Sequence, residues 1–131
     1  MKVLALDYGS ARTGVAVSDP TGTLARPVEV VQQARSESGL ARIAELVREH
    51  QAERVVVGLP LTMRGEHGRQ AAETEEFVSL LERALEVPVE SFDERFTTDL
   101  AEQGGGSNEE DARAAAHLLS SYLTWSSSAP R

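Results

Sequence analysis

A carboxylate closes the first apolar run of this chain. Val3-Leu4-Ala5-Leu6 reads as a buried strand over residues 2–7, and Asp7 is its last residue. A charge in that place is costly unless something charged meets it. The connection that follows, Tyr8-Gly9-Ser10-Ala11-Arg12-Thr13-Gly14, is punctuated by glycine, which lets a phosphate or a metal ion come close to the backbone. Two more acidic clusters lie downstream, Asp93-Glu94 and Asp111. If the fold brings the three together, they form a site for divalent cations, and phosphodiester chemistry is the leading expectation.

The order of elements decides whether they can converge. Residues 13–18 read as a second strand, and Asp19-Pro20-Thr21-Gly22 as a turn. Residues 23–32 read as a third strand, placed at an edge by Pro27. Leu40, Ile43, Ala44 and Val47 follow helical spacing, so a helix is expected over 36–50. Residues 54–58 form a central strand that breaks at Leu59-Pro60, and 61–68 a loop carrying Gly65 and Gly68. A helix over 69–86 turns Phe77, Leu81, Ala84 and Leu85 inward, and a fifth strand over 87–92 ends at Asp93-Glu94. Thr97-Thr98 starts a short helix, Gly104-Gly105-Gly106 breaks it, and the last helix runs over 109–124. The expectation is one α/β domain over residues 1–125, with a disordered tail over 126–131. Its sheet is mixed: three antiparallel strands, then alternating helix and strand. Right-handed crossovers make strands one, four and five parallel, so Asp7, Gly58 and Asp93-Glu94 share the sheet edge where ligands of open α/β sheets sit.

Asp111 is placed by helical geometry. Asp111, Ala115, Leu118 and Tyr122 are four, three and four apart, which puts the carboxylate at the head of the inward stripe. An ordinary first-turn acid or N-cap explains Asp111 about equally well by itself. Asp93 and Glu94 are consecutive, so one of them reaches the site and the other stands behind it. Asp19, in a polar turn, reads as structural. Three crowded carboxylates repel, and hard divalent ions relieve the repulsion. Oxygen-only ligands, with no cysteine in the chain and no paired histidine, point to Mg²⁺ or Mn²⁺, and two such ions suit an in-line displacement. His50 reads as a helix C-terminal contact, His117 lies off the apolar stripe, and His67 reads as a loop residue.

The charge balance bears on the partner. The formal net charge of −8 speaks against non-specific coating of DNA. Its distribution is uneven, +1 over residues 1–65 and −9 over 66–131, and every basic residue but one is arginine. Arginine suits phosphate contacts, and metal ions can neutralise clustered carboxylates. The apolar N-terminal run is too short for a signal peptide and no stretch reaches membrane-spanning length, so a soluble cytoplasmic protein is expected.

Four segments together carry a resemblance. They are Asp7-Tyr8-Gly9 with Arg12, Gly14, Ala16 and Ser18-Asp19; Val57-Gly58-Leu59-Pro60 with Gly65 and Gly68; Asp93-Glu94-Arg95 with Thr97-Thr98; and Asp111 with Ala114-Ala115 and Leu118-Leu119. In this order they resemble the YqgF/RuvX family over residues 2–123. The resemblance implies an RNase H-like fold. It also implies a nuclease that matures the 5′ end of pre-16S rRNA, or a Holliday junction resolvase. It puts the catalytic acids at Asp7, Asp93 or Glu94, and Asp111, with Asp7, Glu94 and Asp111 as metal ligands. Nucleic acid is the implied partner, met by Arg12, Arg64, Arg69, Arg95, Thr97 and Thr98, with ribosome precursor particles as a further partner. A homodimer stays open, because junctions are two-fold and cyclic dimers are common. The chain departs from the family between Thr98 and Asp111, where it has an acidic glycine-rich segment with no lysine or arginine.

Two other classes compete. Asp7-x-Gly9 with Gly14 also resembles the first phosphate loop of actin-like ATPases and sugar kinases, which need two lobes where this chain has room for one. A non-catalytic nucleic-acid-binding module is the other, and the low basic content is its support.

Overall fold

The computed structural model describes residues 1–60, 68–94 and 108–128. In chain order its elements are β1 (Val3–Asp7), β2 (Arg12–Ser18), β3 (Ala25–Gln32), α1 (Glu37–Glu49), β4 (Arg54–Leu59), α2 (Arg69–Ala84), β5 (Val89–Asp93) and α3 (Asn108–Ser128). The strands form one sheet in the order β3-β2-β1-β4-β5. β2 pairs antiparallel with β1 and β3, while β4 pairs parallel with β1 and β5. This is the expected mixed α/β sheet. Pro27 lies in edge strand β3, where its missing N–H leaves no central ladder broken. Among the described residues no helix is long and apolar enough to cross a membrane.

Strand alternation sorts the core into two halves. Leu4, Leu6, Val15, Val55 and Val57 face α1 and α2, and pack with Ile43, Leu46, Phe77 and Leu81. Val3, Ala5, Ala16, Val56 and Phe92 face α3, and pack with Ala115, Leu118, Leu119, Tyr122 and Leu123. The α3 side of the two central pairs is built from small residues, and the backbone of α3 comes correspondingly close. At Gly14 a Cβ would collide with the Asp111 carbonyl oxygen. Side-chain-free Gly14 therefore sets how near the first turn of α3 sits to the sheet.

Some boundaries differ from the sequence expectation, each for a local reason. β3 starts at Ala25 rather than 23, because the Asp19 carboxylate accepts from the amides of Thr23 and Leu24 and holds both in the turn. α2 stops at Ala84, two residues early, where Leu85 is already extended; Pro88 disfavours helix at Val87 beyond it. Ala84 is exposed rather than inward, since it stands on the rim of an open cleft of about 470 Å³ with Val47, Arg48 and Leu85. Thr74 takes an inward position in its place, its hydroxyl donating to the Gln70 carbonyl at 2.8 Å. α3 runs to Ser128, so residues 126–128, expected to open the tail, are its last turn. Trp125 packs there against Phe92 and Tyr122, with ring centroids 5.6 and 6.1 Å away. The short helix expected at Thr97-Thr98 and the glycine break at 104–106 lie outside the described residues.

Gly14→Ala is expected to lower unfolding free energy by about 1–3 kcal/mol, the range for overpacking a closed contact. Urea denaturation measures it, and a wild-type midpoint would show that α3 does not seat on β2 at this point.

Candidate active site

β1, β4 and β5 run parallel and finish on one sheet edge, at Asp7, Leu59 and Asp93. The alternation that sorts the core also sorts this edge. Val3 and Ala5 face α3, and Asp7 is next in that series; Val56 faces α3, and Gly58 is next; Phe92 faces α3, and Glu94 is next. Asp7 and Glu94 are thus directed to the same side of the sheet, over Gly58. A Cβ at Gly58 would stand 2.6 Å from Glu94 Oε1, so the bare glycine makes the room that Glu94 occupies.

The two carboxyls meet, with Glu94 donating its proton in a hydrogen bond to Asp7. Burial raises the Glu94 carboxyl from its ordinary 4.5 to about 8, and the charge of Asp7, its hydrogen bond and the charge of Asp93 push the same way. Asp7 is also raised, first by burial and further by the charge of Asp111, against the opposing hydrogen bond from Glu94. At neutral pH the pair therefore shares a proton.

Asp111 reaches the same region from the first turn of α3. Its Oδ2 is buried and accepts no hydrogen bond, although Arg12 Nε lies 3.0 Å away as an ion partner. Both side chains of this pair are partly exposed, and such pairs contribute about 0–1 kcal/mol. Because Asp111 Oδ2 is itself buried, parting the pair would leave that oxygen without a counter-charge unless a cation took the place of Arg12. Among the described residues no three of His, Cys, Asp and Glu stand close enough to hold one metal ion together. The arrangement is a proton-sharing pair, with a third carboxylate on an arginine beside it.

The remaining expected residues divide clearly. Asp93 is on the opposite series to Glu94, pairs in register with Leu59, and acts on Glu94 through its charge. Arg69 is the exposed first residue of α2. Arg64, Arg95, Thr97, Thr98 and His67 lie outside the described residues. His50 caps the C-terminus of α1. Asp19 is structural: Thr21, Thr23 and Leu24 donate to it, holding its carboxyl down at about 2.

One nearby residue escaped the sequence reading. Glu73 Oε2 accepts from Tyr8 Oη at 2.7 Å and from Ser10 Oγ at 2.6 Å, which lowers the Glu73 carboxyl. Burial and the same contact push the Tyr8 hydroxyl up to about 12. Glu73 is one of three glutamates in Glu73-Thr74-Glu75-Glu76, and only its place four residues before buried Phe77 marks it as facing inward.

Residues 1–125 match the family described as "RuvX: Holliday junction resolvase". A protein of Chloroflexus aggregans, provisionally named a pre-16S rRNA nuclease, is 52% identical over 101 residues, covering 77% of this chain and 71% of that one. Another of that name, from Syntrophomonas wolfei, is 38% identical over 132 residues and covers 94% of each chain. Among solved structures, RuvC of Thermus thermophilus in complex with a Holliday junction substrate aligns with a TM-score of 0.62 at 18% identity, covering 98% of this chain and 96% of that one. A second Thermus thermophilus RuvC structure gives 0.60 at 20% identity. At that identity the likeness shows a shared fold.

Two outcomes follow from the carboxyl pair. In the unfolded chain Glu94 ionises near 4.5, and in the folded protein near 8. Between those values the unfolded chain has lost a proton that the folded one keeps, so this group's contribution falls as pH rises through that window. With chelator present, the thermal midpoint should drop from pH 5 to pH 9, and Glu94→Gln should flatten the drop. A wild-type slope in that variant would contradict the shared proton. Gly58→Ala should displace Glu94 rather than the backbone. Its thermal midpoint is expected within a few degrees of wild type, while the pH slope changes as in Glu94→Gln.

Proposed function

The chain belongs to the RuvX family, and from that membership and the paired carboxylates we propose that it hydrolyses phosphodiester bonds of nucleic acid with divalent cations held by Asp7, Glu94 and Asp111. The observation that carries the proposal is the hydrogen-bonded Asp7–Glu94 pair. Two carboxyls buried together at the ends of parallel strands repel when both ionise. A divalent cation held by Asp7 and Glu94 would supply the positive charge that relieves this repulsion.

The donor set fits Mg²⁺ or Mn²⁺. It offers only carboxylate oxygens, and Asp111 Oδ2 has no hydrogen bond to lose. When bound, such ions, as one or as a pair, would ease deprotonation of the attacking water and stabilise the leaving oxygen. The chain's own part is positioning. Asp7 and Glu94 fix the reacting centre over Gly58, and Asp93 adds charge behind Glu94. Arg12 would exchange Asp111 for a phosphate oxygen, and Arg69 would offer a second charge at the start of α2. Arg64, Arg95, Thr97 and Thr98 complete the proposed nucleic-acid contacts.

Precursor 16S rRNA, cut at its 5′ end, is the proposed substrate, because relatives matched over nearly their whole length carry that name. That substrate implies ribosome precursor particles as partners and the cytoplasm as location. Junction resolution is the alternative, favoured by the family description. A homodimer would serve it by presenting two sites to a two-fold substrate.

Asp7→Asn keeps shape and removes charge. It should lower cleavage by at least about 100-fold, the scale of losing a metal-supported step, with an unchanged or higher thermal midpoint. Chelation of Mg²⁺ and Mn²⁺ should abolish wild-type cleavage of precursor RNA. Undiminished cutting under chelation, or by the variant, would falsify the mechanism.

A further inference from the structure

We propose that Glu73 is a positioning residue for this site, acting through the hydroxyls of Tyr8 and Ser10 on the loop that joins Asp7 to Arg12. The inference rests on the nuclease function proposed above. Strand alternation splits the two residues at the end of β1. Asp7 goes to the α3 side, and Tyr8 continues the series of Leu4 and Leu6 to the other side. There its ring stacks on Phe77 of α2, with centroids 4.6 Å apart, and its hydroxyl donates to Glu73. Ser10, exposed and outside either core cluster, donates to the same carboxylate oxygen at 2.6 Å.

Packing alone does not account for this contact. The Tyr8 ring is already buried and stacked, and Ser10 brings no apolar surface. What the two hydroxyls do is fix residues 8 and 10 against one point on α2. Gly9, between them, is pressed against the backbone of Arg12, where a Cβ would stand 2.5 Å from the Arg12 carbonyl oxygen. The loop therefore has little slack. Holding Tyr8 and Ser10 holds Asp7 on one flank and Arg12 on the other. Arg69 lies one helical turn before Glu73 on the same helix, so a phosphate gripped by Arg69 would be in register with the acids through this brace.

The test compares Glu73→Ala with Glu73→Gln. Glutamine keeps a carbonyl oxygen able to accept both hydroxyls. In precursor RNA cleavage with Mn²⁺, Glu73→Ala should lower kcat about 10- to 100-fold, as for a slightly misplaced reacting group. KM should rise by less than kcat falls, since Arg69 is untouched while Arg12 loosens with the loop. Glu73→Gln should restore most of kcat. The Tyr8→Phe, Ser10→Ala double variant should match Glu73→Ala, and adding Glu73→Ala to it should do no further harm. Amide hydrogen exchange over residues 9–12, measured without substrate, should quicken in Glu73→Ala and recover in Glu73→Gln. Wild-type kcat in Glu73→Ala, or a glutamine variant as slow as the alanine one, would overturn the inference. If the wild type cuts no nucleic acid, the nuclease proposal fails by itself, and unchanged exchange in Glu73→Ala then overturns the positioning role separately.

Discussion

Two carboxyl groups held together at the ends of adjoining parallel strands are the constraint to which the surrounding structure is fitted. Asp7 closes β1 and Glu94 follows β5, with β4 between them. For their side chains to meet, the intervening strand must present nothing above its backbone, and it presents Gly58. For Asp111 to come near, α3 must lie close to β2, and Gly14 allows that. Both glycines fall on the α3 side of their strands, in series with Ala16 and Val56. A single face of small residues thus permits the helix to approach and the acids to converge. The same crowding keeps the pair in need of a shared proton or a cation.

Alternation gives the opposite face a different task. Tyr8, the residue after Asp7, turns toward α2, where Phe77 and Glu73 receive it. The end of β1 is therefore clamped from both sides of the sheet, by chemistry on one side and by packing with hydroxyl contacts on the other. Arg12 sits where the clamp ends, paired with the buried Oδ2 of Asp111 at 3.0 Å. An acidic chain can still handle a polyanion on these terms. Its formal charge counts carboxylates that divalent ions would neutralise, and its proposed phosphate contacts include Arg12, beside Asp111, and Arg69, at the start of α2.

Much of this was legible before the structure. The apolar run ended by Asp7, the Pro27 edge strand and the right-handed crossovers lead to a mixed sheet with β1, β4 and β5 parallel, as observed, and to one edge for Asp7, Gly58 and Asp93-Glu94; the order of the strands comes from the structure. The spacing of Asp111, Ala115, Leu118 and Tyr122 marks the helix face that turns inward, and the last three are buried there. What stayed hidden depends on tertiary approach. The sequence does not reveal that Gly58 and Gly14 are bare because Glu94 and the Asp111 backbone fill their space. It does not reveal the partner of Asp111, since residues 12 and 111 meet only through the packing of α3 on β2. Glu73 was hidden among neighbouring glutamates, and Ala84 was misplaced because the inward stripe of α2 runs past the edge of the covering layer. The starts and stops of β3 and α3 were shifted by side-chain contacts, Asp19 holding back one and Trp125 extending the other.

The central claim is that the Asp7–Glu94 pair exists to hold a divalent cation. Anomalous diffraction from crystals grown with Mn²⁺ at neutral pH tests it most directly. The account predicts a manganese peak within coordinating reach of the Asp7 and Glu94 carboxylates, with Asp111 turned away from Arg12. Crystals that show no manganese at this pair, from protein that still cleaves RNA in the same Mn²⁺ buffer, would contradict it.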